Sequence, residues 1–180
     1  MALVHYPVSN KNSETIGSAV TNLDLHDIAR AGRTYGINRF YVVTPYQDQQ
    51  NLVREIVDHW LTGYGARYNP KRKEALEIIR ICADLESLYE QLVVKWQTRP
   101  TVIATSARAG DNQVSYDLVR QRIKAGERFL LLFGTGWGLT PEVMAGVDRV
   151  LPPIYGGGDY NHLSVRSAAS VVLDRLMGER

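Results

Sequence analysis

Six short runs of branched and aromatic apolar residues recur along this chain, and all but one lead into a segment with helical spacing. The runs lie at residues 2–8, 38–45, 77–83 and 101–108, in "RFLLLFGTG" and in "DRVLPPI". The later ones are apolar without alternation, so both faces of each strand have to be covered. That is the condition of a parallel sheet, and a parallel sheet needs helical crossovers between its strands. The predicted fold class is therefore α/β, a mostly parallel sheet with helices on both faces, in a single domain over residues 1–180. "RFLLLFGTG" is the most apolar run and is expected at the centre of the sheet.

The helical segments follow from period and punctuation. "LDLHDIARAGRTYG" carries Leu23, Leu25, Ile28, Ala29 and Ala31 at helical spacing, is weakened at Gly32 and ends at Gly36. "DQQNLVREIVDHWLTGYG" places Leu52, Val53, Ile56, Val57, Trp60 and Leu61 on one face. "LESLYEQLVVKWQTRP" is stopped by Pro100. "SYDLVRQRIKAGE" has Ser115 as N-cap and Gly126 just past its end. "NPKRKEALEIIRICAD" divides into a loop or helical turn over 71–76 and a strand over 77–83. Residues 63–73, rich in glycine and basic side chains, are the least core-like stretch and read as a connection within the domain.

Composition excludes several classes. With 44% hydrophobic and 22% charged residues, the chain has material for an ordinary core. Cys82 is the only cysteine, so no internal disulfide is possible and a reducing, cytoplasmic setting is expected. No apolar run approaches the ~20 residues that span a bilayer, and "MALVHYPVSNKN" lacks the basic and apolar regions of a signal peptide. No membrane association is expected. A net charge of +2 permits nucleic-acid binding without requiring it. "NPKRK", the Arg30/Arg33 pair and "VRQRIK" are basic clusters that also read as ordinary solvated surface. His5, His26, His59 and His162 are scattered and Cys82 stands alone, so no metal site is expected. No G-x-S-x-G elbow of a hydrolase occurs.

In open α/β sheets ligands bind beyond the carboxyl ends of the strands. Three loops there stand out. "TSARAGDN" begins with Thr105, Ser106 and Ala107. "GTGWGLTPE" follows Phe133 and holds Gly134, Thr135, Gly136 and Leu139. "PPIYGGGDYNHLS" holds Pro153, Ile154, Gly156, Gly157, Gly158, Tyr160, Asn161, His162, Leu163 and Ser164. If their strands are neighbours, the three loops form one wall. The spacing of Gly134, Gly136 and Gly138 does not fit G-x-G-x-x-G, and no Lys-Ser/Thr follows for a Walker A loop, so phosphate cradling is not supported. What remains is backbone able to approach a flat ring of the adenine type, or a tight turn that re-aims the chain. The three glycines before the last helix likewise read as a loose linker or as backbone shaped to lie on a ligand.

Taken together, these segments resemble the SpoU–TrmD (SPOUT) superfamily of S-adenosylmethionine-dependent RNA methyltransferases. "NLDLHDIARAGRTYGINRFYVV" is similar to the first motif, with Arg30 preceding Gly36 at the motif's spacing and a strand following. "LLLFGTGWGL" is similar to the second. "VLPPIYGGGDYNHLSVRSAASVVLDRL" is similar to the third and is the most specific of the three. Two departures stand out: Thr135 and Gly136 occupy the place of an acidic residue after the glycine of the second motif, and the first motif opens "NLDLHD" instead of Asn-x-Gly. The chemistry therefore need not be ribose 2′-O methylation.

The resemblance implies a C-terminal trefoil knot, against the general rule that chains do not thread. S-adenosyl-L-methionine would sit in it, held by the residues named in the three loops, and replacing Gly134 or Gly157 should abolish binding and leave the sheet folded. It implies a homodimer acting on RNA (tRNA or rRNA); the appended RNA-binding domain that many relatives possess is not expected in this chain. Arg30 is the first catalytic candidate and would orient the acceptor or a phosphate. Asp24, His26 and Asp27 lie within about a turn of it and would supply a base, or else simply favour the helix dipole. Asp159 and His162 are second candidates. The last helix points the same way as the implied dimer. Leu163, Val165, Ala168, Ala169, Val171, Val172, Leu173 and Leu176 span more than one ~100° stripe, which calls for a partner beyond the sheet. Two rival readings are a non-catalytic SAM- or RNA-binding regulatory protein of the same fold and another adenine-nucleotide-binding α/β protein.

Overall fold

The computed structural model describes residues 1–110 and 112–179; Asp111 of the "TSARAGDN" loop lies outside the described residues. The elements in chain order are β1 (Ala2–Val4), β2 (Val8–Ser9), β3 (Thr15–Ile16), α1 (Asn22–Thr34), β4 (Phe40–Val43), α2 (Gln47–Leu61), α3 (Tyr64–Tyr68), α4 (Pro70–Leu76), β5 (Ile79–Cys82), α5 (Leu85–Trp96), β6 (Thr101–Ala104), α6 (Tyr116–Lys124), β7 (Phe129–Gly134), α7 (Pro141–Ala145), β8 (Arg149–Val150) and α8 (Val165–Met177). Six strands form one parallel sheet in the order β5-β4-β1-β7-β6-β8. β7 lies inside it, as its unbroken apolar run requires. The strands β7, β6 and β8 are adjacent, so the three glycine- and serine-bearing loops do open on one edge.

Alternate side chains of each strand serve opposite faces. Leu3, Phe40, Val42, Ile103, Leu131 and Phe133 join a core with residues of α1, α2, α4, α6 and α8. Ala2, Val4, Tyr41, Val43, Val102, Ala104, Leu130 and Leu132 face the other way, against Leu85, Leu88 and Leu92 of α5 and the flank of α7. Both faces are covered, unequally. No helix among the described residues is long and apolar enough to cross a membrane.

The expected frame of α6 is in place. Ser115 Oγ accepts from Leu118 N and Gly126 follows α6 at φ +87°. Pro70 opens α4, where the Asn69 side chain accepts from Arg72 N. Elsewhere the sequence reading and the structure differ. The run 2–8 is two strands: β1 ends at Val4, and Val8–Ser9 pairs antiparallel with Thr15–Ile16 as a separate hairpin. Two-residue strands carry too little periodicity to be read. The stretch 63–73 contains α3, a five-residue helix too short and polar for a helical pattern. Helix α8 begins at Val165, with Ser164 as its cap, so Leu163 lies ahead of it and is exposed. The wide apolar surface of α8 meets α1, α6 and β7 of its own chain. The breadth that called for a second subunit is thus largely absorbed within one.

Candidate functional site

The loops after β6 and β8 are tied together. Thr105 donates from N and Oγ1 to the Leu132 carbonyl, at 3.0 and 3.1 Å, which fixes the exit of β6 to β7. Ser106 Oγ accepts from Arg108 N at 3.0 Å and turns the chain. The last loop leaves β8 with Leu151 N on the Ala104 carbonyl, buries Pro153, half-buries Ile154, and returns so that Asn161 Nδ2 donates to the Ala107 carbonyl at 2.7 Å. Tyr155, Tyr160 and Leu163 stay exposed, and the Tyr160 and His162 rings meet edge to face.

Nothing among the described residues calls for the three glycines in this loop. None of Gly156, Gly157 and Gly158 has a positive φ, and a Cβ on any of them would meet no atom within 4 Å. The backbone N–H groups of residues 154–163 donate to no acceptor among the described residues. Side-chain-free backbone with unclaimed donors, at the carboxyl edge of a parallel sheet, fits a ligand laid directly on the chain. These are groups that could hold the adenine and ribose of S-adenosylmethionine.

The middle loop is built differently. A Cβ at Gly134 would come within 2.6 Å of Leu139 N, Gly136 has φ +59° and Gly138 φ +103°. The β2–β3 hairpin closes over this loop, with Ser9 N donating to the Gly138 carbonyl at 2.9 Å and Trp137 N to the Ser9 carbonyl at 3.0 Å. Phe133 and Leu139 are core residues. The turn accounts for the tight packing at Gly134, while Gly136 and Trp137 stay exposed at the carboxyl edge of the sheet. Thr135, where the resemblance leads one to expect an acid, is buried; its Oγ1 donates to the Val4 carbonyl at 3.0 Å and meets Ser18 Oγ. Ser18 Oγ lies 3.0 Å from His5 Nδ1. His5 is fully buried at the end of β1, its Nε2 has no partner among the described residues, and burial pushes its pKa down to about 4, so the ring is neutral at pH 7.

The catalytic candidates sit on α1, which starts from a Thr21 cap. Thr21 Oγ1 accepts from Asp24 N and donates to Asp24 Oδ2 at 2.6 Å. The other oxygen of Asp24 accepts from Arg166 Nη1 of α8 at 3.3 Å, and Arg166 Nε lies 3.5 Å from Asp27 Oδ2. One arginine from the start of α8 is thus gripped by two acids of α1. Beside it lies a groove of about 410 Å³ lined by Asp27, Arg30, Thr34, Tyr35, Arg166 and Ser167, among others. The Arg30 side chain is exposed there and pairs with no carboxylate among the described residues. His26 is not on the groove. Its ring stands edge-on to Trp60 of α2 at 5.4 Å, and burial, then the Arg72 and Arg30 cations, hold its pKa below the ordinary value.

The structure therefore gathers Arg30, Asp27 and the first turn of α8 into one groove, and links the first and third loops. It gives Asp24 a joining role, turns His26 toward Trp60, and fastens the middle loop to the hairpin. Arg166 went unnoticed as an individual residue, although it stands inside the most specific motif, "NHLSVRSAA". The His5–Ser18–Thr135 chain has no signature in sequence.

Residues 1–178 match the family model described as SAM-dependent RNA methyltransferase. An uncharacterized protein of Aquifex aeolicus (strain VF5) is 40% identical over 98% of this chain and 86% of its own length. The tRNA (guanine-N(1)-)-methyltransferase of Nitratidesulfovibrio vulgaris is 44% identical over 99% of this chain, and the namesake from Oleidesulfovibrio alaskensis is 42% identical. The chain spans only 41% of the length of each of these two. In fold, it is similar to a probable methylase family protein of Haemophilus influenzae (TM-score 0.61, 18% identity, 98% of this chain and 63% of that one). It is also similar to a TrmH/SpoU tRNA modifying enzyme of A. aeolicus (TM-score 0.55, 15% identity, 98% and 73%). With the family match running through all three motif segments and the SpoU-type fold around them, the chain belongs to the SAM-dependent RNA methyltransferases.

Proposed function

We propose that this chain methylates a nucleotide of tRNA, holding S-adenosylmethionine between the loops after β6 and β8 and the acceptor in the groove beside Arg30. The observation that carries this reading is the last loop itself. Its glycine stretch has no packing duty among the described residues, Asn161 fastens it to Ala107, and it runs directly through Ser164 into the turn that carries Arg166.

The cofactor supplies an electrophilic methyl on a sulfonium. The backbone of residues 154–163 offers it donors and the glycines admit it closely. Arg30, unpaired and exposed, orients the acceptor or holds its phosphate, whereas Arg166 is neutralised by Asp24 and Asp27 and serves to shape the groove. If the acceptor carries a proton, Asp27, which lines the groove, is better disposed to take it than Asp24, whose two oxygens are both engaged. Asp159 and His162, open in the cofactor-side loop, are the second candidates. Transfer to tRNA is supported by the two relatives named for that activity, with the qualification that this chain corresponds to less than half of each.

A homodimer and a knotted C-terminal connection are part of the same proposal. The knot is supported by the likeness to SpoU-type folds. The dimer is supported by exposed Leu23 on α1 and by Tyr155, Tyr160 and Leu163 in the last loop, apolar surface of a kind that favours burial between subunits. Light scattering over a dilution series tests the dimer, and a monomer at micromolar concentration would remove it. Titration of the purified protein with S-adenosylmethionine, ATP and NAD tests the pocket. Binding of the first alone supports it, and binding of ATP or NAD in its place would favour the rival adenine-nucleotide reading.

A further inference from the structure

Away from the groove, α3 does something that a connection does not require. Gly63 and Gly65 let it fold tightly onto the end of α2: a Cβ at Gly63 would lie 2.7 Å from the His59 carbonyl oxygen, and one at Gly65 would lie 2.6 Å from Trp60 Cε3. This docking leaves Tyr64 and Tyr68, four residues apart on one helical face, turned to solvent. They are 75% and 74% exposed, and their rings lie near-parallel with centroids 6.0 Å apart. Two large rings held side by side in water contribute little to the core.

The charge of their own segment has one sign. Between Gly63 and Lys73 the chain carries Arg67, Lys71, Arg72 and Lys73 and no acid. Glu74, next in sequence, is taken up by Arg33 and Lys71. The platform also connects to the groove. Arg72 lies over the Trp60 ring at 4.6 Å, Trp60 meets His26 edge to face, and His26 precedes Arg30 by one helical turn on α1. Exposed aromatic faces stack unpaired bases with little regard to sequence, and adjacent cations hold the phosphates between them.

We propose that Tyr64 and Tyr68, with Arg67 and Lys71, form a second RNA-contact site on which an unpaired nucleotide of the substrate RNA stacks while another part of the same RNA enters the groove at Arg30. The proposal rests on the RNA methyltransferase reading. At a net charge of +2, such a local concentration of contacts would add to affinity for RNA.

The test uses the whole protein, fluorescently labelled unfractionated tRNA and anisotropy at fixed moderate salt. Because stacking tolerates any base, the probe does not have to be the true substrate. The Tyr64→Ala/Tyr68→Ala double variant should bind at least about five-fold more weakly than the unaltered protein. The Tyr64→Phe/Tyr68→Phe variant, which keeps the rings, should stay within about two-fold. All three should bind S-adenosylmethionine equally. Wild-type affinity in the alanine variant would overturn the platform, and equal loss in the phenylalanine variant would overturn stacking as its basis. An unaltered protein that binds S-adenosylmethionine but no RNA would bring down the platform and the RNA reading together. One that binds tRNA through the tyrosines but no cofactor would leave the platform standing and refute the cofactor slot alone.

Discussion

Arg166 in the first turn of α8 and Asp24 in the first turn of α1, 142 positions apart in sequence, meet at 3.3 Å. The carboxylate also accepts a hydrogen bond from the Thr21 hydroxyl, so one largely buried side chain braces the helix cap and anchors the far end of the chain to it. The contact joins α8 to α1 beside the groove that Arg30 and Arg166 line.

Asp24→Ala is therefore expected to act on stability first. It removes one partner of the cap and leaves Arg166 with Asp27 alone, at a cost of about 1–3 kcal/mol. Urea unfolding checks this. An unchanged midpoint together with lost methyl transfer would return Asp24 to the role of catalytic base.

Gly134 and Gly157 should behave oppositely. At Gly134 a single Cβ collides with the backbone of Leu139, so Gly134→Ala should lower stability by about 1–3 kcal/mol. Gly157 has open space around it, so Gly157→Val should unfold at the same temperature as the unaltered protein and bind S-adenosylmethionine more weakly. The two are compared by thermal unfolding and cofactor titration. Unchanged cofactor affinity in a folded Gly157→Val protein would contradict the slot. On sequence grounds alone the two glycines are equivalent, and only the positions of the hairpin and of Leu139 separate them.

His5 gives a pH dependence of definite sign. Its folded-state pKa, about 4, lies below the ordinary 6.5, so between these values the unfolded chain binds a proton that the folded one does not. The stabilisation is complete above pH 6.5 and is lost as the pH falls toward 4. The loss amounts to at most about 3 kcal/mol. Replacing His5 by Asn, whose amide can still meet Ser18, should flatten the stability profile in that window. Equal acid sensitivity in His5→Asn and the unaltered protein would show that another group is responsible.

What sequence made legible was what periodicity and punctuation encode. Leu130–Phe133 reads as an inner strand and Ser115 and Gly126 frame a helix, whereas the adjacency of β7, β6 and β8, left open by the sequence, comes from the sheet order. The motif around Ser164 and Arg166 directed attention to the carboxyl end of the sheet, where its loop lies. Contacts that depend on three-dimensional approach were hidden: the grip of Asp24 and Asp27 on Arg166, the hairpin over Gly136, and the neutral His5 behind Thr135. Helix α3 was hidden for another reason, since five residues hold too little of a helical period to declare themselves.

The central claim is tested most directly by transfer of tritiated methyl from S-adenosylmethionine into unfractionated RNA, run side by side for the unaltered protein and Arg30→Ala, with cofactor affinity measured on the same samples. The account predicts labelled RNA from the unaltered protein. From Arg30→Ala it predicts labelling slower by about 100-fold or more at undiminished cofactor affinity, because a misplaced acceptor forfeits the gain from orientation. Labelling at the unaltered rate by Arg30→Ala, or loss of the cofactor on that substitution, would contradict it.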